Sequence, residues 1–289
     1  MTLFERIESP RRQARLALNR HASWYTWSTE SLRFLRSWQG YVTKLPTPLL
    51  ISLPGDPSYP YTYSLRLSSI RDRSLARELT HMVLGLCQMR PAARVLLFHN
   101  LLNENLDGQG IHFLFAGFRA ALVRMTGDPN CALYAPLDAA DRKDFALHAD
   151  LYIPPILFNV FDHVSADGSG ASVFLRTSTL RELLPSVPGL PVSVRRTIVA
   201  RLSEPVVEDG FDQFFDLLHG EGHPWTQPLQ KRMKAAQFRI KLYRGQGYLI
   251  HDRLWLHGRE ALVARVGNRR LHRFIFNPVL GGREDRVDK

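Results

Sequence analysis

Gly247-Tyr248-Leu249-Ile250-His251-Asp252-Arg253-Leu254-Trp255-Leu256-His257-Gly258-Arg259 reads as a strand, a turn and a second strand ending on an imidazole, and Arg269-Arg270-Leu271-His272-Arg273 brings arginines on the next strand. A lone imidazole holds a metal weakly, so a site built on His257 needs further ligands whose softness and geometry suit the ion. The best partners stand far upstream, in Phe145-Ala146-Leu147-His148-Ala149-Asp150-Leu151-Tyr152. His148 and Asp150 are two residues apart, and in an extended chain such positions point to one face. Both side chains can therefore converge on one ion, with His257 arriving from a distant strand.

Two imidazoles and a carboxylate on one face are the ligand set of the facial triad of non-haem iron(II) oxygenases, which leaves positions open for other ligands. Taken in order, the motifs resemble those of the taurine dioxygenase and clavaminate synthase group of iron(II)/2-oxoglutarate dioxygenases, which carry H-x-D/E, G-x-T, H-G-R and R-x-L-x-R. His148 and Asp150 match the first, Gly170-Ala171-Ser172 the second, His257-Gly258-Arg259 the third and the run from Arg269 to Arg273 the fourth. The resemblance implies that His148, Asp150 and His257 hold Fe(II) and that Arg269 grips the far carboxylate of 2-oxoglutarate, with Arg270 in that role if the register slips by one. Ser172, where the family usually has threonine, keeps a hydroxyl for the same cosubstrate. Arg273 matches the second arginine, which in some relatives reaches an acidic group on the substrate. His251-Asp252 stands where the family usually has an Asp-Asn pair, and no role is carried onto it.

The H-x-D triplet alone is weak evidence, since His219-Gly220-Glu221 repeats the pattern and His223 extends it to H-G-E-G-H. Zinc there would need a fourth ligand that the sequence does not indicate, so the cluster reads as a solvated loop. The weight rests on four elements in the right order between Phe145 and Pro278.

A chain of 289 residues with 45% hydrophobic content can bury a substantial core. No run is long and apolar enough for a membrane span, and the N-terminal residues lack the apolar centre of a secretory signal, so the expected setting is cytoplasmic. Cys87 and Cys131 indicate buried thiols rather than a disulfide framework. The formal charge of +11 favours anionic partners. Its arginines are spread along the chain and no nucleic-acid-binding motif is present, so the expected partner is a small molecule rather than a specific nucleic acid.

The expected fold is mainly β with flanking helices: a double-stranded β-helix (jelly roll, cupin-like) core in one dioxygenase domain spanning 1–289. Residues 1–45 read as a helical N-terminal extension, with Ser28 capping a helix that carries Leu32, Leu35 and Trp38 on one side. Residues 145–184 and 237–278 carry the metal- and cosubstrate-binding core. Within it, Ile156 to Val164 reads as a core strand in which Asn159 either touches substrate or closes the strand end, and Ser178 caps a short helix. Residues 185–236, weakly periodic, resemble the lid insertion that in this family folds over the active site.

The resemblance implies an oxidoreductase that uses Fe(II), 2-oxoglutarate and O2 to oxidise an unactivated C–H bond, releasing succinate and CO2. Retention of the carboxylate Asp150 favours hydroxylation or a related oxygenase outcome over halogenation. Arg273 and the basic composition suggest an amino acid or a carboxylated natural-product intermediate as substrate. Two other readings stay open: a cupin-like metalloenzyme that does not use 2-oxoglutarate, and a basic nucleic-acid-binding protein.

Overall fold

The computed structural model describes residues 16–17, 21–25, 27–42, 44, 50–54, 61–89, 94–99, 108–139, 144–150, 155–164, 169–203, 210–262 and 269–277. Thirteen strands and seven α-helices lie within these residues. The strands are β1 Leu16–Ala17, β2 Ala22–Tyr25, β3 Leu50–Pro54, β4 Tyr61–Leu65, β5 Val95–Phe98, β6 Ala132–Ala139, β7 Phe145–His148, β8 Ile156–His163, β9 Ser172–Arg176, β10 Phe238–Ile240, β11 Gly247–His251, β12 Trp255–Arg259 and β13 Arg269–Phe276. The helices are α1 Thr29–Val42, α2 Arg73–Gln88, α3 Gly108–Thr126, α4 Thr177–Leu183, α5 Val192–Arg201, α6 Gly210–His219 and α7 Thr226–Ala236.

A seven-stranded sheet runs β1-β2-β5-β11-β8-β13-β6, a four-stranded sheet runs β10-β9-β12-β7, and β3 and β4 form a separate pair. Period-two alternation explains how they stack. In β8, Leu157 and Phe161 share an apolar layer with Phe174 of β9, Trp255 of β12 and Ile275 of β13, so the two larger sheets pack face to face. The alternate residues Phe158 and Val160, with Phe274 and Phe276, pack outward against α1, α2 and α3. On the far side, Val173, Leu175 and Leu256 pack outward against α4 to α7. Each fully buried phenylalanine in this stack, such as Phe158, Phe174 or Phe274, stabilises the fold by about 1.5–3 kcal/mol relative to an exposed one. Because β8 is covered on both faces, its sequence is nearly continuous in apolar residues, and Asn159 is the polar interruption on the inner face.

This arrangement corrects the expectation of a mainly β chain: it is a mixed α and β structure with a helical layer on each outer face. Residues 1–45 are also not wholly helical where described. β1 and β2 precede α1, and β2 becomes a strand by pairing in parallel with β5, a long-range partner that local propensity does not reveal. Ser28 does cap α1, its hydroxyl accepting from the Ser31 N–H at 3.1 Å. Ser178 lies inside α4, whose N-cap is Arg176 without a side-chain cap. Within 185–236 the described residues form three helices with their own buried side chains, among them Phe214, Leu218, Leu229 and Met233. Cys87 and Cys131 are both buried free thiols. No helix among the described residues is long and apolar enough to cross a membrane.

Candidate metal centre

β7 is an edge strand paired with β12, and His148 sits directly opposite His257. Leu147 and Leu256 point outward into the helical layer, which leaves the two histidines on the inner face. Gly258 permits this approach. A Cβ there would lie 2.5 Å from the Phe145 carbonyl oxygen, and the β7–β12 register shifts at this point as a bulge.

His148, Asp150 and His257 are all buried, and one ligand atom from each lies within 4.8 Å of the others. His148 Nε2 stands 3.3 Å from Asp150 Oδ1, and His257 Nε2 stands 3.4 Å from Asp150 Oδ2. The two rings are 4.3 Å apart, centroid to centroid. His148 Nδ1 donates to the Ala146 carbonyl at 2.8 Å, which fixes the tautomer and leaves the Nε2 lone pair to face the cluster. Neither His148 Nε2 nor His257 Nε2 has a hydrogen-bond partner, although both are buried. Buried polar nitrogens are almost always satisfied, so two orphans aimed at one carboxylate fit a metal ion.

The electrostatics favour the ligating forms. Burial alone would raise the Asp150 carboxyl, but Arg273 and His257, with the contacts from His148, outweigh it and hold the group well below the usual carboxylate range. Burial, followed by the neighbouring His148, lowers His257 to about 4, so its imidazole is neutral. Asp150 is therefore a carboxylate and His257 a free base at neutral pH, as metal ligation requires.

Around the triad, Arg273 NH1 donates to Asp150 Oδ2 at 2.9 Å, and its Nε donates to Asn159 Oδ1 at 3.2 Å. Asn159 Nδ2 in turn donates to the Tyr248 hydroxyl at 2.5 Å. Asn159 thus spends both ends of its amide on holding Arg273 to Tyr248. Arg273 lies between Leu271 and Ile275 on the same strand face, which looks into the layer between the sheets. Asp252, in the turn between β11 and β12, accepts the Asp150 N–H at 3.1 Å and lies 3.6 Å from His257 Nδ1. It was missed from sequence because it departs from the family's usual pair. Its signal is a lone acidic residue at a turn beside the distal histidine.

Ser172 is buried in β9, on the same face as Phe174, and lies opposite Arg259 of β12. Arg270 is directed elsewhere: its NH1 is 3.8 Å from Asp162, where His272 Nε2 also stands 3.8 Å from the same carboxylate. Arg269 opens β13 opposite Ala139, but its side chain lies outside the described residues. His219 and His223 do not join a metal cluster. His219 Nε2 donates to the Leu147 carbonyl at 2.7 Å, capping the edge of β7, and His223 stacks on Trp225 with its Nε2 3.3 Å from Asp216. Among the described residues, His148, Asp150 and His257 are the one group of three or more acidic, His or Cys side chains poised for an ion.

No family model and no curated protein matches the chain. Solved structures align with it at low identity. An asparagine oxygenase in complex with Fe(II), 2S,3S-3-hydroxyasparagine and succinate aligns over 90% of this chain and 94% of its own, with 12% identity and a TM-score of 0.49. The non-heme iron oxygenase OrfP, in complex with Fe, succinate and (3R,4R)-dihydroxy-L-Arg, aligns over 88% and 93%, with 12% identity and a TM-score of 0.44. A taurine dioxygenase from Burkholderia xenovorans aligns over 79% and 91%, with 12% identity and a TM-score of 0.35. Function here rests on the side chains of the site rather than on these alignments.

Proposed function

We propose that the chain is an iron(II)/2-oxoglutarate-dependent dioxygenase that oxidises, by hydroxylation, an unactivated C–H bond of a small molecule. The two face-to-face sheets are read as a double-stranded β-helix. The single observation that carries the proposal is the convergence of His148, Asp150 and His257, with two buried imidazole nitrogens left unpaired.

Iron, when bound by these three ligands, supplies activation of O2 coupled to the oxidation of 2-oxoglutarate to succinate and CO2. The chain does the rest. His148 offers an Nε2 lone pair fixed by the backbone, His257 offers its Nε2 with Asp252 3.6 Å from the other ring nitrogen, and Asp150 offers a carboxylate kept ionised by Arg273. Arg269 is assigned to the far carboxylate of 2-oxoglutarate, because a planar guanidinium matches a carboxylate in two hydrogen bonds. The position of Arg270 beside Asp162 favours Arg269 over its neighbour. Ser172 adds a hydroxyl to that carboxylate from the inner face of β9. Arg273, held by Asn159 and paired with Asp150, is assigned to an acidic group on the substrate, which favours an amino acid or a carboxylated natural-product intermediate. The sheets and the helical layers exclude water from the buried triad.

Fe(II) and 2-oxoglutarate added to the purified apoprotein without oxygen test this reading through the visible charge-transfer band of chelated 2-oxoglutarate. The expected result is a band in the parent protein that is absent from His257→Ala. Tight metal binding without a band would overturn the assignment and favour a cupin-like metalloenzyme that does not use 2-oxoglutarate.

A further inference from the structure

We propose that the rings of Phe145, Phe211 and Phe215 form one wall of the substrate site and select a small carboxylate bearing an aromatic or bulky apolar group. This rests on the metal-centre reading above and narrows its substrate.

α6 carries two apolar stripes. Phe214 and Leu218 point into the helical layer and are fully buried. Phe211, Phe215 and His219, spaced four apart, form the other stripe and turn toward β7. His219 anchors this stripe, since its ring lies 4.8 Å from Phe215 and its Nε2 holds the Leu147 carbonyl. That anchor sets the aromatic rings against a metal ligand. The Phe211 ring lies 5.6 Å from the His148 ring and perpendicular to it, and the Phe215 ring lies 6.5 Å away. Phe145 completes the group, 4.3 Å from His148 and 6.4 Å from Phe215.

These rings are not consumed by the core. Phe145 is 45% exposed, and Phe211 and Phe215 are both partly exposed. Apolar area left in water beside a buried functional histidine is area a ligand can cover with gain. On the other side of the triad, Arg273 is bound to Asp150, which itself stands 3.3 Å from His148. Cation and rings thus flank adjacent ligands of one site. A molecule that sets a carboxylate near Arg273 and crosses the metal position meets the rings with its remaining part. The wall itself is aromatic, and beside it His219 gives Nε2 to Leu147, accepts from Gln230 at Nδ1 and lies within electrostatic reach of Asp144. An uncharged amide placed against the rings would lose its water without replacement.

The test uses the protein with Fe(II) and 2-oxoglutarate under anaerobic conditions, titrated with phenylalanine, tyrosine, tryptophan and leucine, and in parallel with asparagine, arginine and serine. The aromatic and large apolar members are expected to shift the visible band and, once oxygen is admitted, to raise succinate formation. Phe211→Ala and Phe215→Ala are expected to raise the half-saturating concentration about tenfold or more, while the band before amino acid is added stays in place. Should either alanine variant lose that starting band, Phe211→Leu and Phe215→Leu, which keep apolar volume, replace it with tryptophan as the probe and the same rise expected. The proposal is overturned if only polar members shift the band, if no aromatic or large apolar member does, or if the variants bind those members as the parent does. A parent protein with no band before any amino acid is added overturns the metal-centre reading itself.

Discussion

His257 and His148 face each other as cross-strand partners, their ring centroids 4.3 Å apart. Gly258 sets that distance. A methyl group at 258 would meet the Phe145 carbonyl oxygen at 2.5 Å and the Ala146 carbonyl at 3.1 Å, both backbone atoms that cannot swing aside. Gly258→Ala must therefore push β7 away from β12. The expected cost is about 1–3 kcal/mol of stability, with a loss of metal affinity in the protein that still folds. Thermal unfolding and a Co(II) titration read the two effects. A variant that melts and binds metal like the parent would show that β7 has slack the register does not reveal.

Asp252 lies beside both His257 and Asp150 without entering the cluster. Its carboxylate faces His257 Nδ1 at 3.6 Å and accepts the Asp150 N–H at 3.1 Å, so one side chain borders two residues of the triad. Removal of such outer partners typically weakens a metal site by about 10–100-fold. Asp252→Ala is expected to fall in that range in a competition titration with Fe(II) or Co(II), and Asp252→Asn, which keeps the shape, to fall less. Equal affinities in all three proteins would remove Asp252 from the site.

The parts that could be read in the chain are those whose chemistry is local. His148 and Asp150 are two residues apart, so strand geometry alone puts them on one face, and the Ser28 cap follows from short-range pattern. What escaped is set by partners far away in sequence. β2 is a strand because β5 lies beside it, and His219 matters because the edge carbonyl of Leu147 needs a donor. α6 hid its period because both of its stripes contain phenylalanine: Phe214 goes to the core, while Phe211 and Phe215 go to His148. Asn159 could not be placed either way from its position in β8, since its duty is shared between Tyr248 and Arg273 on two other strands.

The assignment of the cosubstrate arginine has a direct test. Arg269→Lys replaces a two-pronged guanidinium with a single ammonium, and the concentration of 2-oxoglutarate needed for half-maximal band formation is expected to rise about tenfold, the loss of one well-made charged hydrogen bond. Arg270→Lys is expected to leave it unchanged, because Arg270 stands by Asp162. Reversal of the two results would move the role to Arg270 and imply a shift in the β13 bulge between Arg270 and Leu271.

Away from the triad, the outer face of β13 holds a second polar chain that is expected to make the fold sensitive to acid. The Tyr134 hydroxyl joins His112 Nδ1 and His272 Nδ1, each at 2.7 Å, and His272 Nε2 faces Asp162. Burial, and then the nearby His272, lowers His112 to about 4 from an ordinary 6.5. Between those values the unfolded chain binds a proton at His112 that the folded protein refuses. Unfolding is then favoured by acid, so stability is full above about pH 6.5 and declines as the pH falls toward 4, where the native group also protonates. His257, lowered to about 4 as well, acts in the same direction in the metal-free protein. The apoprotein is expected to melt at progressively lower temperature from pH 7 to pH 4.5. His112→Gln, which can still hydrogen-bond Tyr134 but cannot titrate, is expected to flatten part of that decline. Parallel melting curves for the two proteins across this range would show that the His112 proton contributes nothing to the fold.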